Sequence, residues 1–449
     1  MVTAPEKGAD ANSRVANEFS ARRLSAYDHF MTTAPAASAV VTFEEARHLV
    51  EHHATGISGA EGGVVDLLSA AGRVLSEKIV ADRDFPPFPR ATRDGYAVRA
   101  ADVSEVPARL ELIGEIKAGD SSAGLTVQRG QTASIMTGAP LPPGADAVVM
   151  VEYTAQSGGT VEIKRTVKLG ENFVACGAEA HVGQVLLERG ARVDQAAVAI
   201  AASVGKSTLQ VFRKPRIAVL ATGDEIVAVD LTPGPAQIRN SNSYSLAVQI
   251  QNAGGEAVLL PVAPDEPVRL RALIEEGLKS DLLLLAGGVS MGKFDLVELV
   301  LAELKAEFYF TGALIQPGRP VVFGRCMRGR TGHSSAHPIY FFGLPGNPVS
   351  TMVTFELFVR PIILALSGCA PQALIFLKAR LKSNVRTKTG LKRFLPAILS
   401  GEFENAEVEL ARWQGSGDIA ALAASNCYLV IPPDREQIGA GEWVSVMVR

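Results

Sequence analysis

The stretch YFFGLPGNPVSTMVTFELFV, Tyr340 to Val359, decides the fold. An apolar run breaks into glycines, prolines and an asparagine, and a second apolar run with helical spacing follows. Glycine and proline punctuate loops, so one reading is a tight turn. The sharper reading is an anion site. Asn347 suits the N-cap, Pro348 suits the first helical position, and the unpaired N–H groups of the first turn, with Ser350, face whatever lies above the strand end.

Working outward, the same strand-to-helix alternation recurs upstream in RIAVLATGDEI, SNSYSLAVQIQNAGG, EAVLLPVA, DEPVRLRALIEEGLKS, DLLLLAGGVS and DLVELVLAELK. Such alternation predicts right-handed βαβ units on a largely parallel, doubly wound sheet, and therefore an α/β multidomain chain. Leu110 to about Ile163 reads instead as short strands with turn signals, a small β domain, and the chain beyond Gly368 returns to short β runs. A helix starts after Thr42, with Glu44 and Glu45 in its first turn and Ala46, Leu49 and Val50 as its stripe. Another helix runs from the cap Asp194 to Gly205. Residues up to Ser38 read as a mobile extension.

A length of 449 residues is too great for one core, and at about 150 residues per domain it implies roughly three. The chain is 47% hydrophobic and 20% charged with a net charge of -3, and no basic run stands out. Neither a nucleic-acid nor a membrane partner is expected. No apolar stretch in the sequence approaches the roughly 18 residues of a membrane span, and the N-terminal residues lack the apolar core of a signal peptide, so a soluble cytoplasmic protein is expected. The four cysteines are scattered without a CxxC, which predicts reduced thiols and no zinc site. HExxH, GxSxG and Walker A patterns are missing from the sequence.

In open α/β sheets the ligand crevice lies beyond the carboxyl ends of the strands. Three loops are loaded there: TGDE at Thr222 to Glu225, GGVSMGKFD at Gly287 to Asp295, and GLPGNPVS at Gly343 to Ser350. Gly287 and Gly288 let backbone N–H groups approach an anion, while Ser290 and Ser350 can donate hydroxyl hydrogen bonds. Asp224, Glu225 and Asp295 can hold Mg²⁺ through oxygen. The bland alternative is that the glycines make turns and the acids cap helices. A phosphate-bearing ligand with a divalent ion is the favoured reading. A second constellation is DFPPFPRATRDGYAVRA, Asp84 to Ala100, where Asp94 can accept from a ligand or metal and Arg90 and Arg93 can pair with an oxyanion. Its alternative is an exposed Asp-Gly turn with solvated charges.

The ordered motifs DGYAVR, IMTGAPLPPGADAVVM, ATGDEI, AGGVSMG, PGRPVVFG and GLPGNPVSTMVTFELFVRP resemble the MoeA family, which includes the gephyrin E domain. The likeness runs from about Val41 to Val448 and includes GSGD at Gly415 to Asp418, with Asn426. It implies an elongated domain from residues 39–84 and 180–212, an inserted β domain over 85–179, a MogA-like α/β domain over 213–368 and a C-terminal β-barrel over 369–449, after a mobile extension at 1–38. It also implies a homodimer that takes adenylyl-molybdopterin and molybdate, with a molybdopterin adenylyltransferase and molybdoenzyme acceptors as further partners. Such an enzyme releases AMP in a Mg²⁺-dependent step. Carried onto this sequence, the resemblance gives Asp94, Glu225, Asp265 and Asp295 catalytic roles. Thr222, Gly223, Gly287, Gly288, Ser290, Arg319, Pro345, Gly346, Asn347 and Ser350 would bind substrate and phosphate, and Asp224, Glu225, Asp295 and Glu179 would bind metal.

This chain departs from the family pattern at several positions. ENFVACGAEAHVG stands where an arginine and Gly-Glu-Asp are usual, with Ala178 and Glu179 in place of the Glu-Asp pair. Arg93 replaces a methionine, Gly312 and Gln316 stand where lysines are common, and Lys293 stands where an acid is common. Fewer cations would line the path of an anionic ligand, unless Arg93 and Lys293 bring charge from other directions. Two alternatives follow: a paralogue acting on another nucleotide-linked or pterin-like ligand, and a non-catalytic scaffold.

Overall fold

The structure, a computed structural model, describes residues 40–121, 124–288, 296–327 and 338–449. The mobile extension expected up to Ser38, together with Ser290, Lys293 and Asp295, lies outside the described residues. The chain forms two compact units, one from residues up to 60 and 214–449, the other from residues 61–213.

The larger unit opens with helix α1 (Phe43–Thr55), whose start is a capping box. Thr42 accepts from the Glu45 N–H, and the Glu45 carboxylate accepts from the Thr42 N–H. The apolar stripe Phe43, Ala46, Val50 and Ala54 is buried, with the Phe43 ring 6.1 Å from that of Phe358 and 5.1 Å from that of Phe394. That stripe decides which unit the helix joins. Residues 40–60 were expected in the elongated domain, but their apolar face is completed by the α/β core, and they fold with it.

The sheet of this unit uses β1 (Arg216–Ala221), β2 (Glu256–Leu259), β3 (Leu282–Ala286), β4 (Glu307–Phe310), β5 (Val322–Met327) and β6 (Pro338–Leu344), in the spatial order β2-β1-β3-β6-β5-β4. The first four in that order are parallel, and β5 is antiparallel to both of its neighbours. Strand β3 reads LLLLA and is buried on both faces, as a central parallel strand must be. Ile217, Val219, Leu282 and Leu284 point into one core with α1, helix α2 (Asn242–Asn252) and the helical run Pro348–Leu366. Ala218, Leu220, Leu283 and Leu285 point into a second core with α3 (Pro267–Gly277) and α4 (Leu296–Glu303). The doubly wound expectation is therefore met, with an antiparallel edge pair added.

The Pro348–Leu366 run, interrupted by one π turn at Phe355–Val359, is 19 residues long and apolar enough to cross a membrane by length and composition. The sequence reading did not anticipate such a segment. Because 72% of it is buried inside the protein, it is a core helix. The C-terminal part closes into a barrel. Lys392–Ser400 pairs with Glu407–Leu410, that strand with Leu377–Leu381, then Trp443–Val448, then Cys427–Ile431, which returns to Lys392–Ser400. Closure leaves the ring without a free edge.

The second unit carries a six-stranded sheet in the order Ala147–Met150, Gly95–Val98, Gln131–Ile135, Ala108–Ile116, Thr160–Ile163, Thr154–Ser157. Chain on either side of this sheet pairs with itself: Gly63–Asp66 with Thr208–Val211, and Ile79–Val80 with Val185–Leu187. Helix Gln195–Ser203 is capped by Asp194, whose carboxylate accepts from the Ala197 N–H at 2.8 Å.

Candidate functional site

Strand order 2-1-3 puts a switch point between β1 and β3, because the chain leaves β1 toward β2 on one side and returns to β3 on the other. Loops after β1, β3 and β6 meet there. The Thr222 N–H donates to Ala286 O at 3.2 Å, Gly223 N–H to Ala263 O at 3.1 Å, and Gly287 N–H to Leu344 O at 3.1 Å. Gly287 and Gly288 have φ of +99° and +65°, a left-handed region that favours glycine. Space requires glycine as well, since a Cβ on Gly287 would lie 2.8 Å from Thr222 O and one on Gly288 2.7 Å from Thr222 Oγ1. The Thr222 hydroxyl beneath them is buried without a hydrogen-bond partner among the described residues. Gly346 approaches from the third loop, where an added Cβ would sit 3.6 Å from Gly287 Cα.

Asn347 occupies the N-cap with extended backbone and Pro348 the first helical position, but the Asn347 side chain makes no capping bond. The first-turn donors are only partly available. Val349 N–H donates to Ser416 O of the barrel segment at 3.0 Å, while the N–H groups of Asn347 and Ser350 have no partner among the described residues. Ser350 as a whole residue is almost wholly buried. Pro345 is buried and its carbonyl accepts from the Thr351 hydroxyl. Arg319 is exposed in the turn after Pro317. The backbone of that turn lies against the helix start, with a Cβ on Gly318 reaching to 3.6 Å from Ser350 O.

Asp224 and Glu225 are exposed after β1, and Asp265 joins them across the loops by donating its N–H to Asp224 Oδ1 at 3.1 Å. Partial burial, then the negative charges of Asp224 and Glu225, hold the Asp265 carboxyl above the usual aspartate range. Among the described residues no group of three or more His, Cys, Asp or Glu forms a ready metal cage. The donor chemistry still suits Mg²⁺, which commonly takes one or two carboxylates and completes its shell with waters and substrate phosphates.

Asp94 and Glu179 lie in the other unit. Asp94 is exposed and accepts from the Thr137 N–H at 2.6 Å, and the Thr137 backbone and hydroxyl bonds hold its carboxyl below the usual range. Glu179 and Arg90, expected to serve metal and anion respectively, pair with each other at 3.1 Å. Sequence reasoning missed Asn242, whose Nδ2 donates to Gly346 O at 2.8 Å while Asn240 Oδ1 accepts from the Ser243 N–H at 3.1 Å. It also missed Arg393, which donates through Nε to Gln316 Oε1 at 2.7 Å. The cluster of asparagines before an apolar helix was the available signal for the first. Nothing local marked the second.

Fold and loops together define a multidomain α/β protein in which three loops meet at the switch point of its sheet. Residues 41–205 match the MoeA N-terminal region (domain I and II), 218–365 a probable molybdopterin binding domain, and 378–448 the MoeA C-terminal region (domain IV). A molybdopterin molybdenumtransferase of Nostoc sp. is 35% identical over 394 residues, covering 86% of this chain and 88% of the relative. One from Bacillus subtilis is 33% identical, covering 86% and 89%. The crystal structure of the molybdopterin biosynthesis moeA protein of Pyrococcus horikoshii OT3 superposes with a TM-score of 0.71 at 29% identity, covering 92% of this chain and 100% of that one. The chain belongs to the MoeA family.

Proposed function

We propose that this protein inserts molybdenum from molybdate into adenylylated molybdopterin during molybdenum cofactor biosynthesis, with Mg²⁺-dependent release of AMP, as a cytoplasmic homodimer. The observation that carries this reading is the meeting of three loops at one switch point, where N–H groups without a partner among the described residues and the carboxylates of Asp224, Glu225 and Asp265 belong to one loop cluster. The donors suit phosphate, and the excess negative charge around Asp265 suits a cation. The names of the relatives supply the substrate class.

In this reading the Asn347 and Ser350 N–H groups orient the phosphates, and Arg319, exposed in the turn beside the helix start, adds a cationic donor. Asp224 and Glu225 would hold Mg²⁺ together with substrate phosphates and water, with Asp295 as a further oxygen ligand from outside the described residues. The ion, when bound, neutralises phosphate charge and polarises the phosphoryl group. In the proposed homodimer, Asp94, its carboxyl held below the usual range by Thr137, would reach in from the partner subunit as an acceptor for substrate.

The test is incubation of the purified protein with adenylyl-molybdopterin, molybdate and Mg²⁺. AMP release together with activation of an apo-molybdoenzyme is the expected result, and absence of both would sink the reading. The second reading is a paralogue acting on another nucleotide-linked ligand; the Arg90–Glu179 pair, which engages one expected cation with one expected metal ligand, is the observation behind it. It predicts AMP release from a different adenylylated compound and none from adenylyl-molybdopterin.

A further inference from the structure

Helix α1 carries His48, His52 and His53, and the fold sorts them into two kinds. His53 turns onto the sheet: its ring stacks on that of Tyr309 at 3.9 Å, and its Nδ1 lies 3.4 Å from the Tyr340 hydroxyl. His48 and His52 are exposed. Being four residues apart, they share the outer face of the helix, where Cβ atoms at this spacing lie about 5–6 Å apart. Two imidazoles so placed on a helix can hold one metal ion between them. The helix dipole accounts for a histidine in the last turn, which is where His52 stands. It does not account for His48, a turn earlier.

The backbone beneath the pair is fixed. The Thr42–Glu45 capping box sets the start of the helix, its apolar stripe is buried, and Arg47 donates through Nη1 to Leu357 O at 2.8 Å. A bound ion therefore needs only side-chain rotations to close the chelate. The carboxylates nearby are engaged: Glu44 pairs with Lys392, Glu45 closes the capping box, and Glu51 pairs with Arg47 at 2.5 Å. They supply negative charge around the pair, while the imidazoles supply the donors. No group of three or more His, Cys, Asp or Glu forms a cage among the described residues, so the remaining positions on the ion fall to water.

We propose that His48 and His52 form a binding site for a divalent transition-metal ion of the class that prefers imidazole, namely Cu²⁺, Ni²⁺ or Zn²⁺. Mg²⁺ takes oxygen ligands and does not compete for such a pair. The chain thus separates two kinds of cation by donor chemistry, and the α1 site stands independently of the function proposed above.

The experiment titrates nickel chloride into the metal-free full-length wild type, His48→Gln and His52→Gln by calorimetry, with excess Mg²⁺ present, and records melting temperatures with and without Ni²⁺. The wild type is expected to bind Ni²⁺ with submillimolar affinity and to melt higher in its presence, because an ion that binds only the folded chain stabilises it. Each variant is expected to lose affinity about tenfold or more, at least the loss seen when a ligand's supporting partner is removed. Each also loses the nickel-dependent rise in melting temperature, while melting without the ion stays level, since both side chains are exposed. His181→Gln, in the other unit, is expected to bind as the wild type does. Wild-type-like affinity in both variants would overturn the proposal, as would a wild type that binds only above millimolar nickel. Loss of binding in His181→Gln alone would overturn it too, by placing the ion elsewhere. Losses at His48 and His52 that come only with lower ligand-free melting would overturn it by showing a structural role.

Discussion

Asn242 donates through Nδ2 to the carbonyl oxygen of Gly346 at 2.8 Å, across 104 residues of chain. In a trans peptide the C=O and N–H point in opposite directions, so fixing the Gly346 carbonyl toward α2 turns the Asn347 N–H away from α2. That N–H has no partner among the described residues and stands at the start of the Pro348–Leu366 helix. Asn242→Asp keeps the shape, removes the donor and places a negative charge beside the phosphate position. AMP affinity is expected to drop by tenfold or more, while adenosine, which lacks the phosphate, binds both proteins alike. Calorimetry with the two compounds checks it.

Gly288 combines a φ of +65° with a Cβ position 2.7 Å from Thr222 Oγ1 and 2.8 Å from Val297 Cγ2. Gly288→Ala is expected to destabilise the protein by about 1–3 kcal/mol through backbone strain and the clash. Gly119, with φ +94° and open space around its Cβ position, is the control for strain alone. Urea denaturation of Gly288→Ala and Gly119→Ala separates the two contributions, with the larger loss at Gly288.

Asp265 has a carboxyl held above the usual range, first by burial and then by Asp224 and Glu225. The folded protein therefore keeps this proton at pH values where the unfolded chain has lost it. Its contribution is fully present below the unfolded pKa and is lost as pH rises through the folded one. Asp265→Asn cannot ionise, so it is expected to melt above the wild type once pH exceeds that folded value and to lose this advantage in acid. Melting curves across a pH series check the sign, and equal curves at every pH would contradict it.

Of the four cysteines, Cys176 is exposed and Cys326, Cys369 and Cys427 are buried. Burial pushes the Cys326 and Cys427 thiols up to about 11, far from the thiolate form at neutral pH. Titration of the native protein with an aromatic disulfide reagent is expected to modify one thiol, and Cys176→Ser to remove that reaction. Unfolding in guanidinium should expose all four.

Local order was legible in the sequence wherever it arises from near neighbours. The strands Arg216–Ala221 and Leu282–Ala286 announce themselves as short apolar runs, Thr42 and Asp194 as caps, and Asn347 with Pro348 as a helix start. Candidate loops could be named because glycines and acids cluster after apolar runs, and the strand order then brings three of those loops to one edge. What those loops would use for binding was less legible. Ser350 is almost wholly buried at the helix start, and the Val349 N–H is taken by the Ser416 carbonyl of the barrel segment.

By itself, then, the sequence determined the alternation of strands and helices, the caps that start them and the residues available at the switch point, because these depend on periodicities of two to four residues. Only the tertiary structure decided that α1 joins the α/β core, that Asn242 fixes the Gly346 carbonyl, that Arg90 faces Glu179, and that Arg393 is buried beside Gln316. Those pairings join residues far apart in the chain. They are set by which apolar faces bury against one another, and no local pattern carries that information.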